Sequence, residues 1–352
     1  MPVRFILPGV AFYSCHPRMK FPEHRPGTFW RSFVIVLIIS AAYALIARLL
    51  FPALGHRFNI ISVAFIFGMP FALGALVCYL GYRLDSPRPF WHRWAPKLVM
   101  LLAVAGSWAV HLEALVCLVV ALPIVIPCAA AGGWSMHLSL QKRSKDRLLV
   151  SFIVLLPYAM APVEAWWSTP HETRVMTDSV RIQAGADTIW KQIYQVPAIQ
   201  SHELPSQWIY HLGFPRPIAA TIDREGIGAV RHATFERDVS FFEIVTDWQP
   251  LKKLSFTIKA DPDFVPRSAF DEHIIVGGRF YDVLNGTYEI EPQSDGSCIL
   301  HLSSTHRLST PFNGYAGWWS EWVMSQIQVS ILQVIRNRCE AASFPETVRS
   351  QS

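Results

Sequence analysis

Tyr288 and His306 are the two residues whose types best suit acid–base chemistry. An imidazole titrates near neutrality and a phenol can stabilise an oxyanion, which is what proton abstraction from an enolisable ketone needs. The same pair could equally do no chemistry and simply hydrogen-bond in a partly polar interior. Other reaction classes lack their residues. Gly226 and Gly228 are followed by a strand pattern, so they cannot cradle a phosphate at a helix N-terminus. The chain contains no GxxxxGK[ST] loop, no HExxH, no CxxC and no GxSxG. Seven histidines lie beyond position 170 (His171, His202, His211, His232, His273, His301, His306), none at ligand spacing from a cysteine or acid, so neither a metal site nor a cofactor is expected. Cys298 and Cys339 are the only cysteines of that half; an oxidising compartment would permit a disulfide that their spacing does not require.

In the first half, Glu113 and Cys117 are four apart and would share one face of a helix that Pro123 and Pro127 then bend. An acid inside a membrane invites a proton-relay or ligand reading. With no second intramembrane acid, the competing reading places Glu113 in water at a hairpin turn. Arg48, near the outer end of an apolar run, is expected to snorkel.

The elements that would position these groups fall into two halves of different composition. The 352 residues are 51% hydrophobic and 16% charged, and the deficit of charge is local: residues 1–170 contain 15 Lys and Arg but 5 Asp and Glu. The rest has 16 basic and 21 acidic residues. The net charge of +5 therefore lies between apolar runs and not on a globular face, which excludes a nucleic-acid partner. About 20 apolar residues cross a ~30 Å hydrocarbon core as a helix. Residues 33–51, 59–82 and 148–166 each fit one crossing, and 98–136 is too long for one, so it reads as two spans turning near His111 to Glu113. Trp91 and Trp94 would form an interfacial belt before the third span, and Trp166 and Trp167 would close the fifth.

Basic residues cluster before the first span (Arg4, Arg18, Lys20, Arg25, Arg31), between the second and third (Arg83, Arg88, Arg93, Lys97) and between the fourth and fifth (Lys142, Arg143, Lys145, Arg147). Five spans with a cytoplasmic N-terminus put all three clusters inside and the domain after Trp167 outside. The expectation is a multi-pass protein of a bacterial inner membrane, with residues 1–31 cytoplasmic, 32–167 transmembrane and 171–345 periplasmic. The first span reads as an uncleaved anchor.

Beyond the spans, 179–183 alternates as a strand and 184–194 reads as a helix. Strand patterns follow at 219–223, 229–236, 241–248, 251–259, 279–291 and 298–306, and a long helix closes the chain at about 314–340, with Trp319, Val323, Ile327, Ile331 and Val334 as its apolar stripe. Segregated strands and helices imply an α+β domain with an antiparallel sheet. The segments VRIQAGADTIWKQI, GIGAVRHATFERDVSFFEIVTDWQPLKKLSFTI, FYDVLNGTYEI and YAGWWSEWVMSQIQVSILQVIRNRCE, in that order, resemble the START-like, polyketide cyclase and lipid transport (SRPBCC) superfamily over roughly 179–342. The apolar half, with its HLEALVCLVVALP segment, is similar to bacterial membrane proteins that carry such a domain.

The resemblance implies a helix-grip fold, in which the sheet curls around the closing helix and leaves an apolar cavity. Alternation then nominates the lining: Leu254, Phe256 and Ile258; Phe280, Leu284, Tyr288 and Ile290; Leu300, Leu302, Ser304 and His306; with Trp319 and Trp322 on the helix. Such a cavity suits a lipid, an isoprenoid or an aromatic polyketide. The expected function is membrane-anchored binding or transfer of a hydrophobic ligand; the alternatives are a cyclase- or dehydratase-like enzyme, or a sensor controlling the membrane helices. For any single residue of this set, ordinary core packing is the competing explanation.

Overall fold

The computed structural model describes residues 28–53, 61–111, 113–142, 146–164, 166, 169–260 and 276–343. The first half is helical: α1 (Thr28–Ala53), a π-helical turn (Ala64–Gly68) running into α2 (Met69–Leu84), the short α3 (Phe90–Arg93), α4 (Ala95–Ala109), α5 (Leu115–Lys142) and α6 (Asp146–Glu164). Among the described residues, three helical stretches are long and apolar enough to cross a membrane: Thr28–Phe51, Ala64–Leu84 and Leu115–Gln141. Ala95–Ala109 and Ser151–Glu164 are shorter apolar helices. At 1.5 Å per residue, the 15 residues of α4 rise about 22 Å, less than the hydrocarbon core.

The central helix is α2, which packs against α1, α4, α5 and α6. Its approach to α5 is set by glycine: a Cβ on Gly74 would lie 1.9 Å from the Ala129 carbonyl oxygen, and one on Gly132 would lie 1.9 Å from that of Phe71. The start of the π turn is capped from α6, where the Glu164 carboxylate accepts the backbone N–H groups of Val63 (2.7 Å) and Ala64 (3.0 Å).

Four expectations for this half change. Trp91 is fully buried, and its indole N–H donates to Asp85 at 3.0 Å, so only Trp94 keeps the exposed position of a belt residue. Glu113 precedes α5 and therefore does not share a helical face with Cys117. Nor does it stand in water: its carboxylate accepts from the Arg48 Nε at 2.7 Å, and both side chains are largely buried. Arg48 thus reaches across to a partner instead of snorkelling, because a buried charge is stabilised far better by an opposite charge than by apolar neighbours. Trp167 lies outside the described residues, while Trp166 is exposed.

The second half is β1 (Glu172–Ile182), α7 (Ala186–Tyr194), α8 (Trp208–His211), β2 (Pro217–Ile222), β3 (Val230–Phe235), β4 (Ser240–Gln249), β5 (Lys253–Ala260), β6 (Tyr281–Pro292), β7 (Cys298–Leu308) and α9 (Asn313–Ser343). The seven strands form one antiparallel sheet in the order β1-β7-β6-β5-β4-β3-β2. Sequential hairpins build β2 to β7, and β1 closes on β7. The long helix α9 packs on β1 and β7, giving the curled sheet and closing helix of a helix-grip arrangement. Its core joins Ile182, Leu254, Ile290 and Leu300 of the sheet to Ile189 and Trp190 of α7 and to Leu332, Ile335 and Cys339 of α9.

β1 starts seven residues earlier than alternation suggests, because Arg174 and Asp178 on its inward face are charged. Arg174 pairs with Glu321 of α9 at 2.8 Å, and Asp178 accepts from the Ser325 hydroxyl at 3.1 Å. The buried face of α9 is also displaced from most of the expected stripe: Gly317, Met324, Gln328, Leu332, Ile335 and Cys339 are buried together with Val334 of that stripe, whereas Trp319, Val323, Ile327 and Ile331 are half-buried. Cys298 and Cys339 are free thiols within the core. Burial pushes both upward, Cys339 to about 12 with help from the neighbouring Glu340.

The halves meet at the start of α9. The Tyr315 hydroxyl donates to the Val120 carbonyl of α5 at 2.6 Å, and Phe312 lies edge-on to Phe67 at 6.3 Å.

Candidate functional site

The concave face of the sheet carries the nominated residues, and register shows which of them meet. On β5, Leu254 and Phe256 are buried and Ile258 packs at the margin of the same cluster. On β7, Leu300, Leu302, Ser304, His306 and Leu308 alternate into the interior. On β6, a bulge between Val283 and Asn285 inserts one residue. It reverses the parity, so Tyr281 and Val283 stand opposite Leu308 and His306, while Gly286, Tyr288 and Ile290 stand opposite Ser304, Leu302 and Leu300. Phe280 and Leu284 therefore leave the inward set, and Tyr281 and Val283 enter it.

The bulge also decides the acid–base question. Tyr288 pairs with Leu302, four residues before His306 on β7, which separates them by about 13 Å along the strand. They are not brought together. The tyrosine beside His306 is Tyr281, with ring centroids 5.7 Å apart. His306 is fully buried. Its Nε2 lies 3.1 Å from the Ser320 hydroxyl, which itself donates to the Gly317 carbonyl, so the imidazole must donate through Nε2 and keep a lone pair on Nδ1. That Nδ1 has no partner among the described residues. Burial holds the ring below the usual histidine range, opposed by Glu321 and reinforced by Arg174, so it is neutral at pH 7.

Tyr288 instead belongs to a polar group that sequence reasoning missed as functional. Arg231 of β3 and Glu243 of β4 are cross-strand neighbours on the concave face, and the guanidinium donates directly to the carboxylate. Both are buried, and the Tyr288 hydroxyl lies against the guanidinium. The ring of Phe256 covers Arg231 at 5.5 Å. Burial pushes the Glu243 carboxyl above the ordinary carboxylate range against the pull of Arg231, and raises Tyr288 for the same reason. The Arg231 Nε has no partner among the described residues, and neither does the half-buried Trp319 indole N–H on α9. Trp319 sits 5.8 Å from Trp322, which is also half-buried, at the upper end of the helix.

The arrangement has an apolar end and a polar end. Leu254, Phe256, Tyr288 and Leu302 are packed with Leu332 and Ile335 of α9 in the core, so these four hold the sheet to the helix. The polar groups lie above them on opposite sides: His306 on β7, and the Arg231–Glu243 pair on β3 and β4. Three strand spacings of about 4.8 Å put roughly 14 Å between His306 and Glu243. That is the length of a molecule of two or three fused rings. Buried donors and acceptors are nearly always paired, so an orphaned acceptor at one end and an orphaned donor at the other are the groups that a bound molecule could satisfy.

No protein-family model matches the chain, and no curated protein matches it. Among solved structures it is similar to truncated norcoclaurine synthase from Thalictrum flavum, at 15% identity over 48% of this chain and 97% of that one, TM-score 0.30. It is also similar to the Zhui aromatase/cyclase of a Streptomyces species, at 17% identity over 50% and 99%, TM-score 0.32. The helix-grip description rests on the strand order and α9, and the chemistry of the site rests on the side chains above.

Proposed function

We propose that the protein is a membrane-anchored hydrophobic-ligand domain, whose ligand lies between the concave face and α9 with a polar group at each end. The observation that carries this reading is the pair of buried, unpartnered atoms on that face, His306 Nδ1 and Arg231 Nε, on either side of the apolar cluster of Leu254, Phe256 and Leu302. The ligand class is a lipid, isoprenoid or polyketide-like molecule with a hydroxyl or carbonyl near its ends.

A second reading is favoured by one specific feature. A neutral imidazole with a free lone pair is a general base, so His306 could take a proton from beside a carbonyl at its own end of a bound molecule, as a cyclase or dehydratase must, while Arg231 would only anchor the far end. Mass spectrometry of small molecules co-purified with the full chain tests both readings. The wild-type protein is expected to retain an apolar compound, and Ile258→Trp, which puts a bulky ring between the two polar groups, is expected to lose it. His306→Ala separates the readings: a carrier keeps the same compound, whereas an enzyme slowed by ~100-fold retains an unconverted precursor of different mass. If neither the wild type nor any variant holds an apolar compound, the concave face is only a core.

For the membrane half we propose five crossings with the N-terminus in the cytoplasm of a bacterium and the helix-grip domain in the periplasm. The support is the alternation of the basic loops. An alkaline phosphatase fusion after Ser352 is expected to be active and one after Lys145 inactive. The opposite pattern would invert the topology.

A further inference from the structure

Outside the helix-grip domain, the junction of α3 and α4 and the facing part of α5 form an open cavity of about 480 Å³, lined by His92, Arg93, Trp94 and Lys97 on one side and by Ala130, Ala131 and Trp134 on the other. Its chemistry is one-signed. Among the described residues no carboxylate is in ion-pair range of Arg93 or Lys97; Asp85, the nearby acid on this side, is taken by Arg88 at 3.2 Å. The positive end of the α4 dipole opens at Ala95, beside Lys97.

His92 adds a directed donor. It is 6% exposed, and its ring stacks on that of His137 at 3.8 Å. The Tyr82 hydroxyl stands 2.8 Å from His92 Nδ1 and 2.7 Å from His137 Nδ1, so it donates to one ring and accepts from the other. Gln141 fixes which: its amide nitrogen, 3.0 Å from His137 Nε2, donates there and leaves the His137 proton on Nδ1. That proton goes to the Tyr82 oxygen, the Tyr82 hydrogen goes to His92 Nδ1, and His92 keeps its own proton on Nε2. The ring can therefore offer the cavity a donor and no acceptor.

Around this donor set stand features of a membrane surface. Trp94 and Trp134 are 64% and 47% exposed, as interfacial indoles are. Beside them α4 presents the exposed Leu98, Leu101 and Leu102, along which an acyl chain could lie. We propose that this cavity binds a phosphate anion, supplied by the headgroup of an anionic phospholipid, with Arg93, Lys97 and His92 Nε2–H as its donors. The proposal is independent of the ligand of the helix-grip domain.

The full chain in nonionic detergent, titrated with phosphatidylglycerol or phosphatidylcholine and read by native mass spectrometry, tests the site; calorimetry with glycerol 3-phosphate tests a soluble source. The wild type is expected to retain phosphatidylglycerol over phosphatidylcholine by about tenfold or more, as two or three basic groups supply. Arg93→Gln/Lys97→Gln should cut that preference to about twofold or less, and Ala131→Trp, which keeps the charge and fills the cavity, should do the same. Arg83→Gln removes an exposed charge from the last turn of α2, outside the cavity, and should leave the preference intact. Glycerol 3-phosphate bound by the wild type and lost in both cavity variants, without a lipid preference, supports the same phosphate site with a soluble ligand. Equal losses in Arg83→Gln and Arg93→Gln/Lys97→Gln, or no binding of either probe by the wild type, would overturn the proposal.

Discussion

Replacing Arg231 by methionine is expected to unfold the helix-grip domain, or nearly so, while Arg231→Met/Glu243→Leu folds. The single change leaves the buried Glu243 carboxylate with no counter-charge, at a cost of about 3–5 kcal/mol. A domain is stable by only about 5–15 kcal/mol in total, so this removes much of it. The double change replaces two desolvated ions with apolar side chains of similar reach, which elsewhere is neutral or stabilising. Urea unfolding of the full chain, followed by near-ultraviolet circular dichroism of the tryptophans, measures both variants. A single variant within about 1 kcal/mol of wild type would mean that the pair is not desolvated. The double variant also separates stability from function: if the pair is kept for its ligand, the folded double variant retains no apolar compound. A purely structural pair would leave retention unchanged.

That pair shows why part of the site was hidden in the sequence. The strands and the closing helix were legible because apolar residues recur at period two between turn residues, and at helical spacing from Gly314 onward. Arg231 and Glu243 break the first rule, since a charge within a strand reads as a solvent-facing position. The signal was nevertheless present: Arg231 has the parity of Ala229 and Ala233, and Glu243 has that of Phe241 and Val245. Opposite charges at inward positions of two neighbouring strands imply an ion pair, provided that the register is known. The early part of β1 was missed for the same reason, because Arg174 and Asp178 face α9 and find Glu321 and Ser325 there. The bulge on β6 is marked only by the neighbouring Asn285-Gly286, which does not say which residue is inserted. One inserted residue moves Phe280 out and Tyr281 in, and counting in twos from Tyr288 crosses it unaware. On α9 the apolar stripe was read one position aside, because the face packed on β1 contains Gly317, Glu321 and Gln328, whose partners are polar.

In the helical half, two glycines of similar appearance in the sequence are expected to respond in opposite directions. Gly132→Leu would drive its side chain into the backbone of α2, since even a Cβ would stand 1.9 Å from the Phe71 oxygen, and a backbone carbonyl cannot step aside as a flexible side chain can. The helices must separate, losing the close small-residue packing that holds apolar helices together where no hydrophobic drive acts between them. A loss of about 3 kcal/mol is expected, at the upper end of overpacking costs. Gly106→Leu in α4 meets nothing within 4 Å and should be neutral or stabilising by up to ~1 kcal/mol, because leucine is the better helix former. Thermal retention of the monodisperse peak in detergent compares the two, and a shared direction would refute the α2–α5 contact. The effect should also travel beyond the apolar helices. The Val120 carbonyl that accepts from Tyr315 is on α5, and Tyr315 opens the aromatic cluster of Trp318, Trp319 and Trp322 on α9. Moving α5 withdraws that acceptor, so Gly132→Leu should alter the near-ultraviolet dichroism of the α9 tryptophans at temperatures where the sheet is still folded, whereas Gly106→Leu should leave it unchanged.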